Sequence, residues 1–170
     1  MTSARSGVLQ SSPISRGWLG GGIIPSILIV DDHAFIRRGI RGLLSDATNW
    51  TVAGEADNGE EAIRLTQSLR PDVILLDVNM PGMSGLSVVR DIRERGDKTK
   101  ILLLTLHDSE ELIRNAFKLG INGYLLKTDA EEELIRALQV VLGNGVYLSP
   151  KLAPEFVKSV VKTFVDSSSN

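Results

Sequence analysis

The sequence predicts an α/β fold, a doubly wound sheet of five parallel strands with helices on both faces. Two observations support this class. Short runs of Ile, Leu and Val alternate with segments of helical periodicity, and five such strand–helix units occupy residues 26–145. The apolar runs contain few polar residues, which indicates strands buried on both faces, as in parallel sheets with right-handed crossovers.

The composition is that of an ordinary globular protein. The chain has 170 residues, 42% of them hydrophobic and 24% charged, with a formal net charge of -2. This length is enough for one domain with a sizeable core, and the charge gives no general attraction to nucleic acids or anionic lipids. Cysteine is absent, so disulfides and thiolate metal sites are excluded. No apolar run reaches the roughly 20 residues of a membrane helix, and we expect a cytoplasmic protein.

The first two strand–helix units have clear boundaries. The first strand is predicted at residues 26–30 (SILIV), and the next helix at residues 33–46. Residues 50–56 (WTVAGEA) form a weaker strand, expected at an edge of the sheet. The second helix, residues 58–70, begins at Asn58, a typical N-cap residue. The apolar face of the first helix comprises Phe35, Ile36, Ile40, Leu43 and Leu44.

The later units are more apolar. The third strand is predicted at residues 72–77 (DVILLD), the fourth at 101–105 and the fifth at 123–126. The helix after the third strand covers residues 85–96 and ends at Gly96, and the helix after the fourth begins at Ser109 and ends at Gly120. The last helix, residues 129–145, has Asp129 as its predicted cap.

The two ends of the chain depart from this pattern. Residues 1–25 are rich in Ser and Gly, and we interpret them as a disordered leader, native or artificial. Residues 26–148 are the predicted domain, and residues 149–170 a linker with a helix from Pro154. The apolar stripe of that helix would comprise Phe156, Val160 and Phe164.

Charged and hydroxyl side chains occupy the predicted carboxyl ends of the strands. Asp31 and Asp32 follow the first strand, and Asp77 ends the third. Thr105 and Lys127 stand at the ends of the fourth and fifth. Ligands of doubly wound sheets bind at this edge, where the strand order reverses. If the first and third strands are neighbours, the three acids meet there.

Such an acidic cluster indicates a cation site. Three carboxylates in one crevice repel one another at neutral pH, and hard oxygen ligands with room for water suit Mg²⁺. Lys127 adds a second positive charge. One acid would be enough to cap the following helix, so we favour a functional over a structural explanation of Asp31 and Asp32. The cluster suits a dianionic phosphoryl group held beside a carboxylate.

Four motifs, in register with the five strand–helix units, resemble the receiver domains of response regulators, the CheY-like superfamily. They are LIVDDH, DVILLDVNMPGMSG, ILLLTLHD and NGYLLK, and the resemblance covers residues 26 to about 148. It implies a flavodoxin-like sheet of strand order 2-1-3-4-5. LLLTLHD, GYLLK and NGVYLSP are similar to the NarL/FixJ-type branch, whose receivers precede a LuxR-type helix-turn-helix domain. That output domain would be absent from this chain.

The resemblance implies a phosphorylation site with a bound metal. Asp77 would accept a phosphoryl group from a sensor histidine kinase. Asp32, Asp77 and the backbone carbonyl of Asn79 would bind Mg²⁺ directly, and Asp31 would hold the ion through water.

The resemblance also implies a conformational switch. Lys127 would pair with a phosphoryl oxygen, Thr105 would donate its hydroxyl to the phosphorylated aspartate, and Tyr124 would turn inward as the switch aromatic. The phosphorylated protein would form a homodimer and control transcription through the output domain. The receiver would be a phosphoacceptor rather than an enzyme, with at most slow self-catalysed phosphorylation and dephosphorylation.

Some features favour other interpretations or depart from the family pattern. Thr128 follows Lys127 where many receivers have Pro, so no cis peptide is expected there.

A stand-alone receiver is a second version of the leading interpretation. The alternative from another class is a Mg²⁺-dependent phosphohydrolase of the haloacid-dehalogenase type, but that class expects a second acid at the position of Asn79. His33 is expected at the surface. His107 is expected near the rim of the site as a solvated loop residue, and an influence on hydrolysis of the acyl phosphate is the less favoured alternative.

Overall fold

The computed structural model describes residues 23–158, which form a parallel sheet flanked by helices. The strands are β1 (Ser26–Val30), β2 (Thr51–Ala56), β3 (Val73–Asp77), β4 (Lys100–Thr105), β5 (Gly123–Leu126) and β6 (Tyr147–Leu148). The helices are α1 (Ala34–Ala47), α2 (Gly59–Leu69), α3 (Gly85–Glu94), α4 (Glu110–Lys118) and α5 (Ala130–Leu142). A 3₁₀ turn, Lys127–Asp129, joins β5 to α5.

The sheet has the order β2-β1-β3-β4-β5-β6, and every neighbouring pair is parallel. The predicted order of the first five strands is therefore confirmed, with β2 at an edge. The prediction of five strands was wrong, because Tyr147 and Leu148 pair with Gly123 and Tyr124 as a sixth strand. Two residues are too few to show a strand pattern in a sequence, and they pair because β5 would otherwise offer a free edge.

Both faces of the sheet are buried, which explains the continuous apolar runs. In β3, Ile74 and Leu76 belong to a core with α2, α3 and α4, whereas Val73 and Leu75 belong to a core with α1 and α5. Successive strand residues point to opposite faces, so a strand between two helical layers needs an apolar residue at every position. Asp77 ends such a strand and is itself only 3% exposed.

The capping residues were predicted with one error. Asn58 and Ser109 each accept a hydrogen bond from the backbone N–H three residues on, at 2.9 and 3.5 Å. Asp129 makes no such bond, because its helical backbone (φ -103°, ψ -3°) does not aim the side chain at the first turn of α5. Its carboxylate pairs with Lys151 instead. Positive φ angles mark the helix-ending glycines Gly96 and Gly120.

Phe35 is the exception in the predicted apolar face of α1. Ile40 and Leu44 are buried, and Ile36 and Leu43 pack against the same core. The Phe35 side chain is 81% exposed. At 100° per residue it points roughly 125° away from the centre of that stripe.

The ends of the chain are described only in part. The predicted leader, residues 1–25, lies outside the described residues except for its last three. Residues 153–158 are helical, and Phe156 packs against Phe117 of α4 with ring centroids 6.1 Å apart. The predicted stripe residues Val160 and Phe164 lie outside the described residues. Within residues 23–158, no helix combines the length and apolarity that a membrane span requires.

Gly85 allows α3 to begin directly against the end of β3. Its N–H donates a hydrogen bond to the Val78 carbonyl oxygen at 2.8 Å. An added Cβ would overlap the Asp77 carbonyl oxygen and lie 2.8 Å from the Val78 Cα. These are backbone atoms in a packed interior, so they cannot yield without moving the strand end that carries Asp77.

We predict that Gly85→Ala lowers the free energy of unfolding by about 1–3 kcal/mol, because the added methyl group displaces the end of β3. The matched control is Gly39→Ala in α1, where an added Cβ meets nothing within 4 Å. It should raise stability by about 0.5–1 kcal/mol through helix propensity. Urea unfolding followed by circular dichroism measures both changes. A neutral Gly85→Ala variant would contradict this close approach.

Candidate functional site

The carboxyl ends of β1, β3 and β5 bring the predicted acids and the lysine together. Asp31 and Asp77 are 1% and 3% exposed. Lys127 Nζ lies 2.6 Å from Asp31 Oδ2 and 3.3 Å from Asp77 Oδ2. Carboxylate oxygens of Asp31, Asp32 and Asp77 and a ring nitrogen of His33 lie within 4.8 Å of one another. The lysine is thus the counter-ion of two buried carboxylates.

Local hydrogen bonds fix the direction of these acids. The Asp31 N–H donates to the Ala56 carbonyl oxygen at 3.1 Å, which extends the pairing of β1 with β2 to the site. The Asp31 Oδ1 atom accepts from the His33 N–H at 2.8 Å, and Asp77 Oδ1 accepts from the Asn79 N–H at 3.2 Å. Both are turns in which an aspartate bonds the backbone two residues on. Each acid is therefore held by the loop that follows its strand.

The donor set fits a divalent cation. Three carboxylates supply hard oxygen ligands of the kind that Mg²⁺ prefers. Asp32 Oδ1 is buried and accepts no hydrogen bond among the described residues, although His33 Nδ1 lies 3.0 Å away. A buried carboxylate oxygen without a hydrogen-bond donor is costly unless a cation binds it. That the backbone carbonyl oxygen of Asn79 is a further ligand of the ion stays a prediction.

The electrostatic environment of Asp77 disfavours its charge. Burial raises the pKa of Asp77, the Lys127 ammonium opposes that effect, and the Asp31 carboxylate raises the pKa further. The hydrogen bond from the Asn79 N–H works in the opposite direction but does not cancel the rise. Asp77 is thus a poorly solvated carboxylate with one ammonium group in contact.

Thr105 and Tyr124 lie beside this cluster and are fully buried. Thr105 Oγ1 accepts a hydrogen bond from the His107 N–H at 3.1 Å, and the Tyr124 hydroxyl donates to the His107 carbonyl oxygen at 2.8 Å. Burial raises the pKa of Tyr124 to about 12, against the effect of a hydrogen bond with Thr105. The phenol therefore stays protonated at neutral pH. The two residues are linked through the backbone of His107.

Two histidines contact residues of the site, His33 more closely than the sequence indicated. The His33 side chain is 64% exposed, as expected for a solvated residue, yet its Nδ1 atom lies 3.0 Å from both Asp31 and Asp32. His107 is exposed, but its Nε2 atom contacts the Asn79 side chain. Only the position of His33 directly after two aspartates could have indicated its contacts. Those of His107 depend on the course of two loops.

Comparison with known proteins identifies the family. Residues 27–139 match the response regulator receiver domain family. The nitrate/nitrite response regulator protein NarL of Escherichia coli (strain K12) is 42% identical over 135 residues, 79% of this chain and 62% of that protein. The transcriptional regulatory protein DegU of Brevibacillus brevis is 37% identical over 132 residues, 78% of this chain and 56% of that protein. The chain therefore spans about three fifths of the length of these relatives.

Solved structures agree with this match. A LuxR-family two-component response regulator from Aurantimonas sp. SI85-9A1 superposes with a TM-score of 0.77 at 32% identity, covering 81% of this chain and 99% of that one. A LuxR-family DNA-binding response regulator from Staphylococcus aureus has a TM-score of 0.66 at 28% identity, covering 70% and 99%. Since more than half of its sequence matches the family and its fold agrees, the chain belongs to the response regulator receiver domains.

Proposed function

We propose that Asp77 is the phosphoacceptor of this receiver and that Asp31, Asp32, Lys127 and Thr105 serve the transfer. The observation that carries the proposal is the contact of one ammonium group with two buried carboxylates, at 2.6 and 3.3 Å. Charged side chains are almost never fully buried unless they are paired, and here one base is shared by two buried acids. A site that must accept a phosphoryl dianion next to an aspartate needs this arrangement.

In the proposed phosphoryl transfer, the nucleophile is the poorly solvated carboxylate of Asp77. An Asp77 oxygen attacks the phosphorus of a kinase phosphohistidine, the bond from phosphorus to the imidazole nitrogen breaks, and a mixed anhydride forms. Burial, which raises the pKa of Asp77, also leaves the carboxylate with few competing hydrogen bonds. Lys127 is already in contact with Asp77, so it can pair with a phosphoryl oxygen at little cost in reorganisation.

The acid cluster supplies the metal ligands. Asp32, Asp77 and the Asn79 carbonyl would hold Mg²⁺ directly and Asp31 through water, and the bound ion would neutralise charge on the phosphoryl oxygens. Without that neutralisation, the carboxylates would repel the incoming anion. The receiver is a signalling domain, and we propose that its self-catalysed phosphorylation and dephosphorylation are slow.

The switch follows from the hydroxyl contacts. When the Thr105 side chain turns to a phosphoryl oxygen, its Oγ1 atom leaves the hydrogen bond that it accepts from the His107 N–H. The His107 backbone then loses one of its two partners, so the loop between β4 and α4 is free to shift. The change is a shift between two existing conformations, biased by new charge-assisted hydrogen bonds.

The wider context is also part of this proposal. A sensor histidine kinase would be the phosphoryl donor, the phosphorylated receiver would dimerise, and the intact protein would be cytoplasmic. Residues 26–148 would be the receiver, and residues 149–170 a linker to a DNA-binding output domain that controls transcription. The relatives named as regulators of transcription and of nitrate response support this, since they are longer than this chain. The phosphohydrolase alternative has no support from the family match.

We predict that Asp77→Asn abolishes labelling by radioactive acetyl phosphate in the presence of Mg²⁺, because the nucleophilic oxygen is lost. The wild-type chain should take up at most one phosphoryl group, and Thr105→Ala should still be labelled. The control is Asp46→Asn at an exposed position of α1. Full labelling of Asp77→Asn, or rapid multiple turnover of phosphate monoesters by the wild type, would contradict the assignment.

We predict that Asp77→Asn stabilises the metal-free protein at neutral pH, on the order of 1 kcal/mol. The native pKa of Asp77 lies above its ordinary value of 3.8. Between the unfolded and native values the native state binds more protons, so wild-type stability falls as pH rises through this window. The gain from Asp77→Asn should therefore grow with pH and vanish below about pH 4.

Urea unfolding in EDTA at several pH values tests this dependence. Added Mg²⁺ should reverse the order of stability, because the ion stabilises the protein that binds it better. A gain that is the same at every pH would show that the charge of Asp77 is not the cause.

A further inference from the structure

The chain beyond α5 returns to the sheet at the strand that leads to Lys127. The Tyr147 N–H donates to the Asn122 carbonyl oxygen at 3.0 Å, and the Ser149 N–H to the Tyr124 carbonyl oxygen at 2.9 Å. The Ser149 side chain then accepts a hydrogen bond from the Leu126 N–H at 2.8 Å, in a fully buried position. Ser149 is therefore bonded to the residue directly before Lys127.

A second contact holds the other side of the same turn. Asp129, the last residue of the 3₁₀ turn, is 7% exposed, and its Oδ1 atom pairs with Lys151 Nζ. The Thr128 hydroxyl lies 3.2 Å from the same carboxylate oxygen. Residues 149–151 thus contact the chain one residue before Lys127 and two residues after it.

The position of the Lys127 ammonium depends on this turn. A lysine side chain is a point charge on a flexible four-carbon stem, so its reach is set by the placement of its backbone. Without the Ser149 hydroxyl, the buried Leu126 N–H would have no acceptor, and the end of β5 would be less well fixed. The Lys127 side chain is 13% exposed and lies between Asp31 and Asp77, so a small displacement changes both contacts.

We propose that Ser149 is a positioning residue for Lys127 and that Lys151 supports it from the other side of the turn. The segment from residue 149 to 151 thereby becomes part of the phosphorylation site without touching the phosphoryl group. Coupling between two sites is reciprocal. Rearrangement of Lys127 on phosphorylation therefore also changes the contacts of Ser149 with Leu126 and of Lys151 with Asp129. The inference rests on the proposed function, which assigns the phosphoryl contact to Lys127.

Lys127 acts in opposite directions on the two ligands of the site. It competes with a divalent cation for Asp31 and Asp77, and it attracts an oxyanion or a fluoride analogue of one. A less well positioned lysine therefore weakens binding of the anion while binding of Mg²⁺ alone is kept or strengthened. General damage to the fold weakens both. This difference separates positioning from a merely structural contribution.

The test compares the full chain with Ser149→Ala and Lys151→Met. Lys98→Met, at an exposed position away from the site, is the matched control for Lys151→Met, and Ser68→Ala controls for loss of a serine hydroxyl at an exposed position. Calorimetry measures the dissociation constant of Mg²⁺ alone, and then of beryllofluoride at saturating Mg²⁺. We expect both test variants to bind beryllofluoride more weakly, by about three- to tenfold for Ser149→Ala and less for Lys151→Met. Their affinity for Mg²⁺ should be unchanged or higher, and the controls should match the wild type.

Three results would overturn the inference or its basis. If both test variants bind beryllofluoride as tightly as the wild type does, Ser149 and Lys151 do not position Lys127 and the inference is rejected. A parallel loss of Mg²⁺ and beryllofluoride affinity in both variants indicates structural damage instead. If circular dichroism shows Ser149→Ala to be unfolded, Lys151→Met decides alone, because Lys151 is an exposed residue. Failure of the wild type to bind beryllofluoride with Mg²⁺ would reject the proposed function itself, and the inference with it.

Discussion

The contact of Lys127 with Asp31 and Asp77 is the interaction on which the arrangement of this protein depends. Two carboxylates with almost no exposure are stable only if a positive charge stays close to both. The three groups come from the ends of three different strands, so β1, β3 and β5 must keep their positions relative to one another. The apolar strands, the close approach at Gly85 and the contacts behind Lys127 all serve that requirement.

Most of the fold could be predicted because its signals are local and repeated. Strands buried on both faces need an apolar residue at every position, and the sequence has four such runs and one weaker strand between helical segments. The residues of the site were found for a related reason. A charged side chain at the end of a buried strand has few structural explanations, so Asp77 and Lys127 are conspicuous. The strand order came from the family resemblance, since spacing alone does not fix it.

The features that were missed depend on distant parts of the chain. β6 has two residues and exists because β5 offers a free edge. Asp129 does not cap α5, because a 3₁₀ turn sets its backbone and Lys151, 22 residues on, takes its carboxylate. The contact of His107 with Asn79 joins two loops that are 28 residues apart. None of these has a periodicity or a spacing that a single sequence can display.

The short length of β6 has a consequence for behaviour at high concentration. A long outer strand presents a row of free amides and carbonyls that a second molecule can extend into a fibril. Here the outer strand beside β5 is β6, which has only two residues. The chain then leaves the sheet and forms a helix at residues 153–158. At the β6 edge, a second molecule therefore finds very few free backbone groups with which to pair.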